Sequence, residues 1–178
     1  MIRLQDLVME YKYFIRPEDR EKPADYLAVQ YYQNGITVGD VQRYLRGMPL
    51  KRGKGAKYMA YIKEQVELID SVIQSKGKPI TTPLYRGVDE RGFYKERAVD
   101  KGYASTSPEL NDAVKSFGYG GIIMKLELEP GIKGLHMDSY LDSKDIDGAA
   151  QNEFLLPRGL TFTRTEEGKE YNSYLVSK

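Results

Sequence analysis

The chain has 178 residues, 27 of them Lys or Arg and 26 Asp or Glu, for a formal charge of +1; that length can bury a core within one globular domain. With no cysteine and one histidine, disulfide frameworks, thiolate nucleophiles and Cys or His metal clusters are excluded. The balanced charge also excludes a whole-chain basic field that would draw the protein to nucleic acid or an anionic membrane.

Residues 1–15, MIRLQDLVMEYKYFI, interleave Arg3, Asp6, Glu10 and Lys12 with apolar positions, so they lack the uncharged run of a signal-peptide core. No apolar stretch approaches membrane-spanning length. The chain is therefore expected to be soluble and to work in a cytoplasm, that of its own cell or of a target cell. A helix is predicted over residues 23–33, stopped near Asn34-Gly35. A second runs from 39 or 40 to 47, with Asp40 as N-cap and Gly47 as C-cap. Ile62, Val66, Ile69 and Ile73 then recur at helical spacing while Lys63, Glu64, Glu67 and Asp70 point elsewhere, which makes a long amphipathic helix.

At Lys76-Gly77-Lys78-Pro79 the punctuation and the hydrophobic period both change. This divides a helical subregion, 1–78, from a β-rich one, 79–178. Strands are predicted in TTPLYRGV, GYASTS, GIIMKLELEP, FLLPRG and LTFTRTEE. Met124 to Glu129 alternates apolar and polar, as a half-buried strand does. The fold class is α+β: an N-terminal helical layer on a C-terminal β core.

GMPLKRGKG carries glycines and basic residues, but its glycines are spaced one residue too far for a nucleotide P-loop, and Gly55 stands where that motif needs Ser or Thr. Lys51, Arg52, Lys54 and Lys57 then read as a solvated basic loop. His136 follows GIKGL in a predicted strand with no G-x-S-x-G elbow in the chain, so a packed or surface histidine is favoured over a general base. Three segments carry more: LYRG, ASTS and QNEFLLPRG. Singly, Arg86, Ser105-Thr106-Ser107 and Glu153 have ordinary strand or cap readings. In that order they form an unusual constellation.

The order Arg, Ser-Thr-Ser, Gln-x-Glu resembles the mono-ADP-ribosyltransferases of the arginine, serine, glutamate class, and in particular the clostridial exoenzymes that modify Rho GTPases. VQRYLRG, IKEQVELID and FGYGGIIMKLEL resemble further segments of that family, so the likeness spans about residues 23–163. It implies a single ADP-ribosyltransferase domain with an NAD cleft, and transfer of ADP-ribose from NAD, as co-substrate, with release of nicotinamide and no metal. By resemblance Glu153 stabilises the positive charge that develops on the ribose, and Ser105 holds Glu153. Arg86 and Arg46 meet the NAD phosphates, Gly87 lets the backbone approach the nicotinamide amide, and Phe117 stacks on the ring, with Tyr119 as the alternative. Gln151 faces the acceptor.

Gln-x-Glu members act on asparagine or on guanine, so arginine is the less favoured acceptor, and a protein side chain is expected ahead of a nucleobase in DNA or RNA. Gly120 stands where the Rho-modifying enzymes carry an arginine, which implies a different detail of cofactor gripping, and Gly148 stands where they carry an aromatic associated with recognising Rho, which makes Rho a disfavoured target. Asp138, Asp142, Asp145 and Asp147 are expected to form a flexible acidic loop beside the acceptor site, with Tyr140 as a substitute aromatic. NAD hydrolysis with water as acceptor, and a catalytically silent binding module, are the competing readings.

Overall fold

The computed structural model describes residues 15–51, 55–88, 96–117, 121–146 and 152–178. Three helices come first: α1 at Ala24–Gln33, α2 at Val38–Leu45 and α3 at Ala56–Lys76. Helices α1 and α2 end alike. Gly35 and Gly47 take φ of 72° and 68°. In each case the glycine N–H and the next N–H reach back to carbonyls of the last turn: Gly35 to Tyr32 and Ile36 to Tyr31, Gly47 to Tyr44 and Met48 to Arg43. These are Schellman stops, which only a residue at ease with positive φ closes without strain. The N-cap position of α2 is Thr37, not Asp40. Asp40 lies inside the helix, where its carboxylate accepts from the Lys51 N–H at 2.6 Å and the Tyr58 hydroxyl at 2.8 Å. A tertiary role overrides its capping preference.

Strands then follow: β1 Lys78–Pro79, β2 Leu84–Val88, β3 Arg97–Asp100, β4 Ala104–Thr106, β5 Ile122–Leu128, β6 Lys133–His136, β7 Phe154–Leu156, β8 Leu160–Glu167 and β9 Asn172–Ser177. Helix α4, Leu110–Phe117, and the short α5, Met137–Tyr140, lie between them. One sheet has the order β1-β6-β7-β4 and the other β2-β5-β9-β8-β3. All pairs are antiparallel except β5 with β9. A bridge between Tyr85 and Ser107 joins the two sheets beside the site.

Strand alternation sorts the side chains into two cores. Leu135 and Leu155 face the helices, packing with Val29, Ile62, Ile69 and Tyr103. Ala104 and Leu156 face the second sheet, with Leu84, Met124, Phe162 and Tyr174. The smaller sheet is thus the middle of three layers, apolar on both faces, and the helices cover its outer side. The buried residues of α3 include Ile62, Val66, Ile69 and Ile73, the stripe expected from its period. No helix among the described residues is long and apolar enough to cross a membrane.

Candidate active site

Arg46 is the residue that closes α2. Its Nη2 lies 2.8 Å from Asp100 Oδ1, and Arg86, on β2, places Nη1 2.9 Å from Asp100 Oδ2. One carboxylate therefore bridges two guanidiniums from different elements. Asp100 ends β3 and is 2% exposed; its Oδ1 also accepts from the Gly102 N–H at 2.9 Å. A bridged pair of this kind presents a fork of N–H donors to an anion, the arrangement suited to a diphosphate. Gly87 is buried beside Arg86 and paired with Ile123 of β5.

From Arg46 a chain of polar groups runs inward. Its Nη1 donates to Gln42 Oε1, and Gln42 Nε2 in turn donates to the Tyr32 hydroxyl at 2.6 Å and to the Tyr103 carbonyl at 2.8 Å. Tyr32 hydrogen-bonds with Ser105, and Ser105 with Glu153. The donor inventory fixes the direction. An ionised Glu153 only accepts, so the Ser105 hydroxyl is the donor in that pair, while Tyr32 accepts from Gln42. Burial pushes the Tyr32 phenol far up, so it stays protonated.

Glu153 stands directly before β7 and is 9% exposed. Burial raises its carboxyl above the usual range, and Asp138 adds to the rise; hydrogen bonds from Ser105 and from Gln33, at the end of α1, act against it. Both donors are neutral. Ser105 sits on β4 opposite Leu155, and its neighbour Thr106 donates to the Phe154 carbonyl at 2.8 Å, so the β4–β7 pair sets the reach between Ser105 and Glu153. Ser107 accepts from the Glu109 N–H at 3.0 Å and so serves the turn into α4.

Arg46, Arg86, Ser105 and Glu153 are thus brought into one connected network. Gln151 lies outside the described residues, as do Tyr119, Gly120, Gly148, Asp147, Arg52 and Lys54; Phe117 closes α4, with its side chain outside them too. The expected flexible acidic loop is corrected. Residues 137–145 form α5 and a short 3-10 turn at Ser143–Asp145. The Asp145 carboxylate is held by Lys22 at 2.8 Å and the Tyr26 hydroxyl at 2.7 Å, which push it below the usual carboxylate range. Tyr140 packs its ring 5.9 Å from Tyr26, against the helical layer. Asp100, Tyr32, Gln42, Gln33 and Gly102 went unread in the sequence. Asp100-x-Gly102 immediately before Tyr103 and ASTS was the available signal: a methyl on Gly102 would run into Gln42 Oε1 and lie 2.7 and 2.8 Å from the Arg46 guanidinium nitrogens. Among the described residues no group of His, Cys, Asp or Glu is arranged to hold a metal.

Residues 93–176 match the family model of the ADP-ribosyltransferase exoenzymes. No curated protein matches the sequence. Among solved structures, a C3-type protein from S. aureus, solved with NAD, is 21% identical with TM-score 0.61, covering 100% of this chain and 97% of that one. An ADP-ribosyltransferase from Clostridium botulinum is 19% identical with TM-score 0.59, covering 99% and 96%. The Vis toxin from Vibrio splendidus is 16% identical with TM-score 0.63, covering 98% and 82%. The fold is that of the ADP-ribosyltransferases, an enzyme class that uses NAD as co-substrate, and the matched segment is that of their exoenzymes. Within that class the chain resembles the C3-type, NAD-dependent mono-ADP-ribosyltransferase exoenzymes.

Proposed function

We propose that the chain, as one catalytic domain over 1–178, transfers ADP-ribose from NAD to a protein side chain in the cytoplasm of its own or of a target cell, in the manner of a toxin or effector. The observation that carries the reading is the state of Glu153: a buried carboxylate met, among the described residues, only by neutral donors, at the end of a polar chain that starts at two bridged arginines.

Breaking the bond between nicotinamide and ribose sends the bonding electron pair to the nicotinamide nitrogen. Positive charge passes to the ribose in an oxocarbenium-like transition state, comparable to that of glycoside hydrolysis. Glu153 is under-compensated before the reaction, so charge arising beside it is stabilised strongly and without reorganisation. Arg86 and Arg46 hold the diphosphate, Gly87 admits the nicotinamide amide, and Phe117 stacks on the ring. Ser105 keeps Glu153 aimed. The acceptor then forms its bond to the ribose carbon and gives up a proton. Gln151 presents an amide, able to donate and accept, to that acceptor. With a charge of +1 the chain carries no field suited to a polyanion, which favours a protein acceptor over a nucleic acid.

The test incubates the protein and Glu153→Gln with labelled NAD and cell lysate, then treats matched samples with protease or nuclease. Label removed by protease, and absent with Glu153→Gln, is the expected result. Label removed by nuclease would move the acceptor to a nucleobase. Free nicotinamide without transferred label would make water the acceptor.

A further inference from the structure

Asn152, the residue before Glu153, has φ of 46°, in the left-handed region, and is the only non-glycine there among the described residues. Asparagine and glycine tolerate that conformation, and alanine resists it. The Asn152 N–H donates to Asp138 Oδ2 at 2.8 Å, and its Oδ1 lies 2.9 Å from His136 Nε2. An amide oxygen only accepts, so His136 donates from Nε2, and its Nδ1 lies 2.5 Å from the Ser139 hydroxyl. The His136 ring rests 4.6 Å from that of Phe154, the residue after Glu153. The Glu153 carbonyl itself accepts from the Met137 N–H at 2.9 Å. Both neighbours of Glu153 and its own carbonyl are therefore fastened to the short run 136–138. None of these contacts touches the carboxylate; all of them set the backbone from which it projects. A turn that needed only to bend would be met by glycine, whereas here a side chain and two partners serve one peptide.

We infer that His136, Asp138 and Asn152 are positioning residues for Glu153: they hold Asn152 in the left-handed conformation and so fix the direction in which Glu153 leaves the chain. The inference rests on the proposed catalytic role of Glu153. A misplacement of ~1 Å at a reacting centre costs on the order of a hundredfold in rate, so the device acts on kcat. NAD is gripped elsewhere, by the arginine pair, and its KM is left alone.

The experiment measures nicotinamide release against NAD concentration, with thermal melts, for the full chain and for Asn152→Gly, Asn152→Ala, His136→Ala, His136→Gln and Glu153→Gln. The expected result is a kcat about tenfold or more lower in the two alanine variants, with KM within about twofold. Asn152→Gly, which keeps the conformation but loses the His136 bond, falls between alanine and wild type. His136→Gln, which restores an N–H donor, regains most of the loss. Wild-type kcat in the alanine variants beside an inactive Glu153→Gln would overturn the positioning role while leaving Glu153 catalytic, and so would a KM rise at constant kcat. An active Glu153→Gln would remove the reading beneath it. Where the alanine variants fail to fold, Asn152→Gly and His136→Gln decide: reduced kcat in Asn152→Gly at an unchanged melting point supports the device, and wild-type kcat overturns it.

Discussion

Asp100 and Glu153 are both buried carboxylates, 2% and 9% exposed, at the two ends of one polar chain, yet among the described residues Asp100 receives two guanidiniums and Glu153 only an amide and a hydroxyl. The arginine end is charge-compensated before any ligand arrives. Its carboxylate fixes where the guanidiniums stand, and an incoming diphosphate meets donors that need no ordering. The glutamate end is left short of positive charge, which burial makes costly. In the proposed mechanism one end holds the ligand and the other meets a charge that exists only during the reaction.

The sharpest way to break this contrast is to neutralise Glu153. Glu153→Gln keeps the shape and both donors and removes the charge, so transfer and nicotinamide release should fall by about 10³-fold or more, while NAD binding measured by calorimetry stays near wild type. Stability should move the other way. The folded pKa of Glu153 is raised, so the folded protein binds this proton more tightly than the unfolded chain does, and a penalty builds as pH rises through the ordinary carboxylate range and is complete above the raised value. Melts at neutral pH should therefore show Glu153→Gln above wild type, and in acid, where Glu153 is protonated, the two should converge. A wild type no less stable than the variant at neutral pH would mean that Glu153 is well compensated.

At the other end the expectation reverses. Asp100→Ala leaves two guanidiniums facing each other, one of them only 12% exposed, and should cost about 2–3 kcal/mol of stability, less than a fully buried pair because Arg46 is a third exposed. Denaturant unfolding reads this directly. Activity at saturating NAD should suffer less than the KM, which is the opposite of Glu153→Gln.

Gly102→Ala separates site geometry from stability. The three atoms nearest the added methyl are side-chain ends, Gln42 Oε1 and the two Arg46 guanidinium nitrogens. The fold should melt within about 1 kcal/mol of wild type, as substitutions that displace only mobile side chains do. The displaced Arg46 should raise the NAD KM by about tenfold, the worth of one charge-assisted contact. An unchanged KM would take Arg46 out of the cofactor grip.

How much of this was legible follows from which signals are local. The long helix α3 and strand β8 were readable from period and composition, since Ile62, Val66, Ile69 and Ile73 share a face and LTFTRTEE is β-branched and aromatic. Strand β9 was missed. Its inward residues are Tyr174 and Val176, but the exposed Leu175 between them breaks the apolar–polar alternation of the run, and its place beside β5 comes from a pairing with a strand far off in the sequence. In the site, Arg46, Arg86, Ser105 and Glu153 were named because their motifs stand out. Asp100, Gln33, Gln42 and Tyr32 were not, because an ordinary aspartate, glutamine or tyrosine gains its role only when the helical layer closes on the sheet. Asp40 shows the converse: a good cap residue by type, recruited instead by Lys51 and Tyr58.

The smallest effect tests the cause of the raised Glu153 pKa. Burial comes first, and the Asp138 charge adds to it. Asp138→Asn keeps an oxygen for the Asn152 N–H, 2.8 Å from Asp138 in wild type, and deletes the charge. In the proposed mechanism the ionised form of Glu153 is the active one, so activity falls as pH drops through its pKa, and the acid limb of kcat reports that value in the bound enzyme. Losing a like charge favours ionisation and moves the limb to lower pH, by less than about one unit, since burial, the larger cause, remains. A limb that stays in place with kcat undiminished would assign the whole rise to burial. A limb that moves upward would mean that the substitution loosened the turn at Asn152 and cost Glu153 its hydrogen bonds from Ser105 and Gln33.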